Sequence, residues 1–230
     1  MITAAVLVIL GSLTAFNVKM KQIYLTGSYK SRFNGMDFKA MKGVENLDIR
    51  NANKLGIQIE QGEKEGIWIR GDVKDKYTVD FQQHTLTLDV SKRAKEEGDD
   101  LWGDIVIITK TLKQVTTSPY LTAKENPTDH VGNVDLKGYH LNHLNLRIGL
   151  GAAVSLNKME MDTLNAVVGD KQSVNASLYI ASDTKINAAI LNVPGKSLLT
   201  LANPTITKAV YNLSDSATVS LNGKLVKMIR

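Results

Sequence analysis

The sequence predicts an all-β protein: a parallel β-helix or β-solenoid of short irregular repeats, preceded by an N-terminal membrane-anchor helix. Three observations lead there. Between Leu144 and Leu225 one phrase returns five times, an apolar alternating run, a small or polar turn, and a second alternating run. Aromatic residues are 6% of a chain that is 43% hydrophobic, so the core is made of small aliphatics that suit thin stacked layers. The chain also opens on an uncharged stretch, Ile2 to Val18.

That opening stretch, taken as a helix, is about 26 Å long, slightly short of a ~30 Å hydrocarbon core. A membrane anchor competes here with a cleaved signal and a buried core element. No basic residue precedes the run, and Leu13-Thr14-Ala15 lacks the small-x-small pattern of a cleavage site, which favours the anchor. Ile2, Val6, Leu10, Leu13 and Phe16 are its membrane-facing candidates, and residues 1–18 form the first expected segment. Residues 19–43 follow as a basic juxtamembrane linker able to touch anionic lipid heads. Lys19, Lys21, Lys30 and Arg32 flank the anchor, and the positive-inside rule alone would leave the rest in the cytoplasm. Signal-anchors ahead of solenoid domains commonly export them, so the two signals oppose each other.

From Val44 the β domain, residues 44–230, begins. NLDIR, LGIQIEQG, GIWIRG, YTVDFQ and TLTLDV alternate, with turn residues between them. Trp68 faces opposite to Ile67 and Ile69 and is expected to pack at the rim of the domain rather than to stack on sugar. Ser91 to Asp100 carries charges of both signs and reads as a solvated loop. LWGDIVIITK and LKQVTTS give two further strands, and the repeat takes over near Val131.

The repeated phrases start at Leu144, Leu164, Leu178, Leu199 and Val210, at spacings of 20, 14, 21 and 11. Such short, uneven units suit solenoid rungs or stacked hairpins better than propeller blades of roughly 40–50 residues. A single unit cannot stand alone, because ordering its backbone at ~1–2 kcal/mol per residue outweighs the burial of a few aliphatics. Lys224, Lys227 and Arg230 would give the stack a charged end that discourages further strand pairing. A β-sandwich with similar half-buried strands is the alternative.

The net charge of +5 is concentrated at the start of the chain, where residues 1–50 carry seven basic and three acidic groups. The remainder is nearly neutral, which argues against a nucleic-acid-binding face. The absence of cysteine excludes disulfides, thiolate metal sites and a cysteine nucleophile. Of the four histidines only His140 and His143 are close, and an i, i+3 spacing on a strand sends them to opposite faces. No nucleophile elbow or phosphate-cradling loop appears, so no catalytic, metal or cofactor residue is assigned and no cofactor is expected. Asp170, Asp183 and Asp215 hold comparable turn positions. In register they would form an acidic ladder for Ca²⁺ or glycan chemistry, although Asp is favoured in turns for its own backbone bonding.

Leu55 to Gly62, the TLTLDV strand, Ile105 to Ile108 and the turns Gly149-Leu150-Gly151, Gly169-Asp170 and Ser214-Asp215-Ser216 come in an order that resembles a known family. It is similar to the head GIN domain family of putative bacterial auto-transporter adhesins, common in the Bacteroidetes, over roughly Asn46 to Gly223. The resemblance implies a right-handed parallel β-helix and a cell-envelope location, with the domain periplasmic or extracellular. Together these readings lead to a non-enzymatic, envelope-anchored binding or scaffolding module for a glycan or protein partner, held to the bilayer by its N-terminal segment. A polysaccharide-processing enzyme using carboxylates on a β-helix face is the alternative.

Overall fold

The computed structural model describes residues 11–21, 31–97, 103–121, 131–171 and 174–222. The chain divides into two compact units, Met1–Met36 and Asp37–Arg230. In the first, residues 11–21 are helical. Leu13 and Phe16 of the expected anchor lie in this helix and are exposed, whereas Ile2, Val6 and Leu10 lie outside the described residues. Among the described residues no helix is long and apolar enough to cross a membrane. A tight turn follows, closed by Asn34 N–H donating to the Ser31 carbonyl at 3.0 Å.

The second unit meets the all-β expectation. Its strands are β1 (Met36–Ala40), β2 (Asn46–Ile49), β3 (Gly56–Gln61), β4 (Gly66–Arg70), β5 (Tyr77–Gln82), β6 (Thr85–Val90), β7 (Asp104–Thr109) and β8 (Gln114–Thr117). They continue as β9 (Gly132–Lys137), β10 (His140–Ile148), β11 (Ala152–Asn157), β12 (Glu160–Val168), β13 (Val174–Ile180), β14 (Lys185–Val193), β15 (Lys196–Leu201), β16 (Thr205–Leu213) and β17 (Thr218–Leu221). The strand β1 lies within the stretch expected to be linker.

Two sheets form. One runs β1-β4-β7-β3-β9-β11-β13-β15-β17 and the other β16-β14-β12-β10-β8-β2-β6-β5. Pairing is mixed: β4 with β7 and β5 with β6 are antiparallel. From β8 onward consecutive strands change sheet each time, and neighbours within a sheet pair in parallel. The two-sheet, mixed-pairing arrangement stands nearer the β-sandwich alternative than a uniform run of identical rungs does.

Alternation explains the core. Every second side chain of a strand points to one face, and in-register parallel pairing stacks like on like. In the first sheet Ile107, Ile59, Leu136, Leu156, Ile180, Leu201 and Leu221 form one continuous aliphatic row. In the second, Leu86, Leu47, Val115, Leu146, Ala166, Leu191 and Tyr211 form another. These rows are buried up to their last strands, where Tyr211 is 43% exposed and Leu221 only partly buried. Each fully buried aliphatic contributes about 1.5–3 kcal/mol, so stacking supplies what one rung lacks.

The corners between sheets need residues of special kinds. A Cβ on Gly195 would lie 2.0 Å from the Asp170 carbonyl oxygen, so the backbones of two successive corners touch where only glycine fits. At the opposite corners, buried Tyr139 and Met159 each accept through their carbonyls from the next rung, Glu160 N–H at 2.8 Å and Lys185 N–H at 2.8 Å.

The charge run after Ser91 is a correction. Lys92–Glu97 is an α-helix rather than a loop. Ser91 Oγ accepts from Ala94 N–H at 3.2 Å as an N-cap, and Lys92–Glu96 and Arg93–Glu97 pair at i, i+4. Trp68 packs at the rim as expected, with its ring centroid 4.5 Å from that of Phe38 and the Lys64 ammonium 4.7 Å from it.

Candidate functional site

The strands β10, β12 and β14 share a deviation from simple alternation. Their burial runs out-in-out and then half-out before alternation resumes, so Asn142 and His143, Asp162 and Thr163, and Asn187 and Ala188 both turn outward. Cross-strand pairing skips the same place in each rung: Leu141 pairs Met161 and His143 pairs Thr163, with no pair at Asn142 and Asp162. The skip recurs at Asp162 and Asn187, and again between Ile186–Ile206 and Ala188–Lys208. Each strand therefore bends at one register position, and the bends stack.

Two outward rows flank the backbone just before the bend. His140, Glu160 and Lys185 make one, in register with Thr205. Asn142, Asp162 and Asn187 make the other. Residues two apart on a strand are about 6.6–6.8 Å apart, and neighbouring rungs about 4.7–4.9 Å. The result is an open trough of about 380 Å³, lined by these two rows and by Leu141 and Met161 between them.

Its polar groups are tied across the rungs. Lys185 Nζ donates to Glu160 Oε1 at 2.6 Å, and His140 Nδ1 lies 3.2 Å from Glu160 Oε2. The Lys185 hydrogen bond, with its charge, holds the Glu160 carboxyl below its ordinary value. Asn187 Nδ2 donates to Asp162 Oδ1 at 2.8 Å, which fixes the amide and the carboxylate side by side. Both side chains are exposed, and each has hydrogen-bonding capacity beyond that one bond.

The fold has relatives among solved structures. A putative adhesin from Bacteroides fragilis is 16% identical and superposes with a TM-score of 0.53, over 81% of this chain and 96% of that one. A putative lipid binding protein from Parabacteroides distasonis is 15% identical at a TM-score of 0.35, over 82% of this chain and 97% of that one. A putative adhesin from Parabacteroides merdae is 12% identical at 0.36, over 82% and 95%. The first likeness is one of fold. No family model matches the chain, and no curated protein matches it.

The three aspartates of the expected turn ladder sit at different corners. Asp170 follows β12 and Asp215 follows β16, both on the way from the second sheet to the first. Asp183 follows β13, on the return from the first sheet to the second, where its Oδ1 accepts from Lys158 N–H at 2.9 Å. That bond joins two successive corners, whereas a turn aspartate commonly bonds its own backbone two residues on. Among the described residues no group of three or more His, Asp or Glu side chains is placed to hold a metal ion. Lys224, Lys227 and Arg230 of the expected charged end lie outside the described residues. His140 and His143 point to neighbouring outward positions rather than opposite faces, because the bend falls between them.

A signal for the trough exists in the sequence once its phase is known. The triplets His140-Leu-Asn142, Glu160-Met-Asp162, Lys185-Ile-Asn187 and Thr205-Ile-Thr207 share a polar-aliphatic-polar pattern. Their register offsets are 20, 25 and 20 residues, which places them directly over one another.

Proposed function

We propose that this chain is a non-enzymatic, envelope-anchored binding or scaffolding module that holds an extended glycan or protein partner along stacked side-chain rows. The observation that carries the reading is the trough, in which parallel in-register pairing repeats one outward pattern rung after rung. A surface of that kind fits a partner with its own linear repeat. Fold similarity to the Bacteroides fragilis structure supports it. The parallel, sheet-changing course of β8 to β17 supports a further step, that this half winds as a right-handed β-solenoid of the kind seen in the head GIN domain family. The uncharged stretch at Ile2–Val18 supports a bilayer anchor and a periplasmic or surface position.

The enzyme alternative has one feature in its favour, since Glu160 and Asp162 project from the same strand two residues apart. A glycoside hydrolase needs one carboxyl kept protonated by a raised pKa. The Glu160 shift runs the other way, so Glu160 is unsuited to that task.

Protease shaving of intact cells, compared with cells whose outer membrane has been opened, tests the location. The expected result is loss of the full-length chain in intact cells, which makes surface binding the working reading. Protection until the outer membrane is opened would instead assign a periplasmic scaffold.

A further inference from the structure

We infer that the trough across β10, β12 and β14 is a binding site for a neutral glycan, with the Asp162–Asn187 pair gripping vicinal hydroxyls of one sugar. The inference rests on the binding-module reading and adds the ligand class and the residues.

Four features of the trough select this chemistry. First, its walls are side chains on the outer face of β10, β12 and β14, which are interior strands of their sheet and present no free edge. A peptide strand binds by adding to a sheet edge through its main chain, and this surface offers no such edge. Second, the site is open and its walls are polar, unlike the enclosed apolar cavity that a lipid chain needs. Third, its charge disfavours an acidic polymer. Lys185 is already committed to Glu160, which leaves the Asp162 carboxylate facing the ligand.

Fourth, the donor set suits a diol. The bond between Asn187 Nδ2 and Asp162 Oδ1 orients both groups, so little freedom is lost when a ligand arrives. The free carboxylate oxygen accepts from one hydroxyl in a charge-assisted bond, and the Asn187 amide donates to or accepts from its neighbour. His140 and Asn142 on β10 add polar groups one strand beyond Asp162.

The test is affinity electrophoresis in native gels cast with mannan, xylan or dextran, with polygalacturonate as the acidic probe. The wild-type chain is expected to be retarded by at least one of the three neutral polysaccharides. Asp162→Ala and Asn187→Ala should each weaken that retardation about tenfold, the scale of one charge-assisted contact. Both positions are exposed, and a thermal melt of each variant checks that it is folded. Asp215→Ala, at an exposed corner beyond the far end of β16, should retain the wild-type retardation. Absence of retardation in all three neutral gels, or equal retardation of the wild type and both trough variants, overturns the inference. The underlying module reading is measured separately by release of new reducing ends from the same polysaccharides. Release would end that reading however Asp162→Ala behaves.

Discussion

Tyr139 is a case where one buried hydroxyl carries both a structural and a pH consequence. It is fully buried at a corner, and its hydroxyl lies 2.8 Å from Thr109 Oγ1. Thr109 donates its own proton to the Thr111 carbonyl at 2.8 Å, so the phenol is the donor of the pair. Burial pushes the phenol above its ordinary value of 10.0. In the unfolded chain the phenol ionises near pH 10, while in the folded chain it holds its proton, so the unfolded state binds fewer protons above that pH. Stability is therefore full below about pH 10 and declines as pH rises beyond it. Tyr139→Phe should cost about 0.5–1.5 kcal/mol near neutrality, and denaturant unfolding should show a smaller further loss between pH 8 and 11 than in the wild type. Equal losses in the two proteins would mean that Tyr139 is not the residue that titrates. Glu160 has the opposite sign: with its folded value depressed by Lys185, its contribution is present above the ordinary carboxylate range and is lost on acidification through the folded value.

At the scale of the element, position in the stack decides what a side chain is worth. Leu156 and Leu221 belong to one aliphatic row of the first sheet, three strands apart in the sheet order and facing the same core. Leu156 is fully buried between neighbours, whereas Leu221, on the terminal strand β17, is only partly buried. Leu156→Ala should cost about 2–5 kcal/mol through lost burial and a cavity. Leu221→Ala should cost ~1 kcal/mol, because part of its surface is already in water and it has a neighbour on one side. Thermal or urea melts of the two variants measure the difference, and equal costs would show that the last rung is covered in solution. Strands were readable because alternation is a local property: GIWIR and TLTLDV became β4 and β6 almost residue for residue. The helix at Lys92–Glu97 was not read, because at six residues its charges mask its cap and its paired i, i+4 side chains.

At the scale of the whole molecule, the described residues of the β domain stack strand on strand, with β16 and β17 as edge strands at one end. The inward row of β16 is half-exposed at Tyr211 and Leu213, so this end is held by one neighbour where inner rungs have two. Local opening is expected to start there. Hydrogen exchange should release the amides of β16 and β17 before those of β12 and β13. Uniform protection along the stack would contradict this picture of rung-by-rung stability.

By itself the sequence determined the class of the protein. Alternation over most of the strands and a core of stacked aliphatics follow from residue identity at period two, and that information is local. The phase of the repeat was not local. The five phrases, from LNLRIGLGAAVSLN to VYNLSDSATVSLNG, mix corners that lead from the second sheet to the first with corners that lead back, which is why their spacings were 20, 14, 21 and 11. Only the tertiary pairing, with offsets of 20 and 25 residues, showed which side chains stand over one another. That pairing separated Asp183 from Asp170 and Asp215, and it brought Glu160, Asp162, Lys185 and Asn187 into one trough. The physical reason is that each contact across a rung joins residues far apart in the chain, and a loop can gain a few residues at little entropic cost while leaving the register of the strands intact.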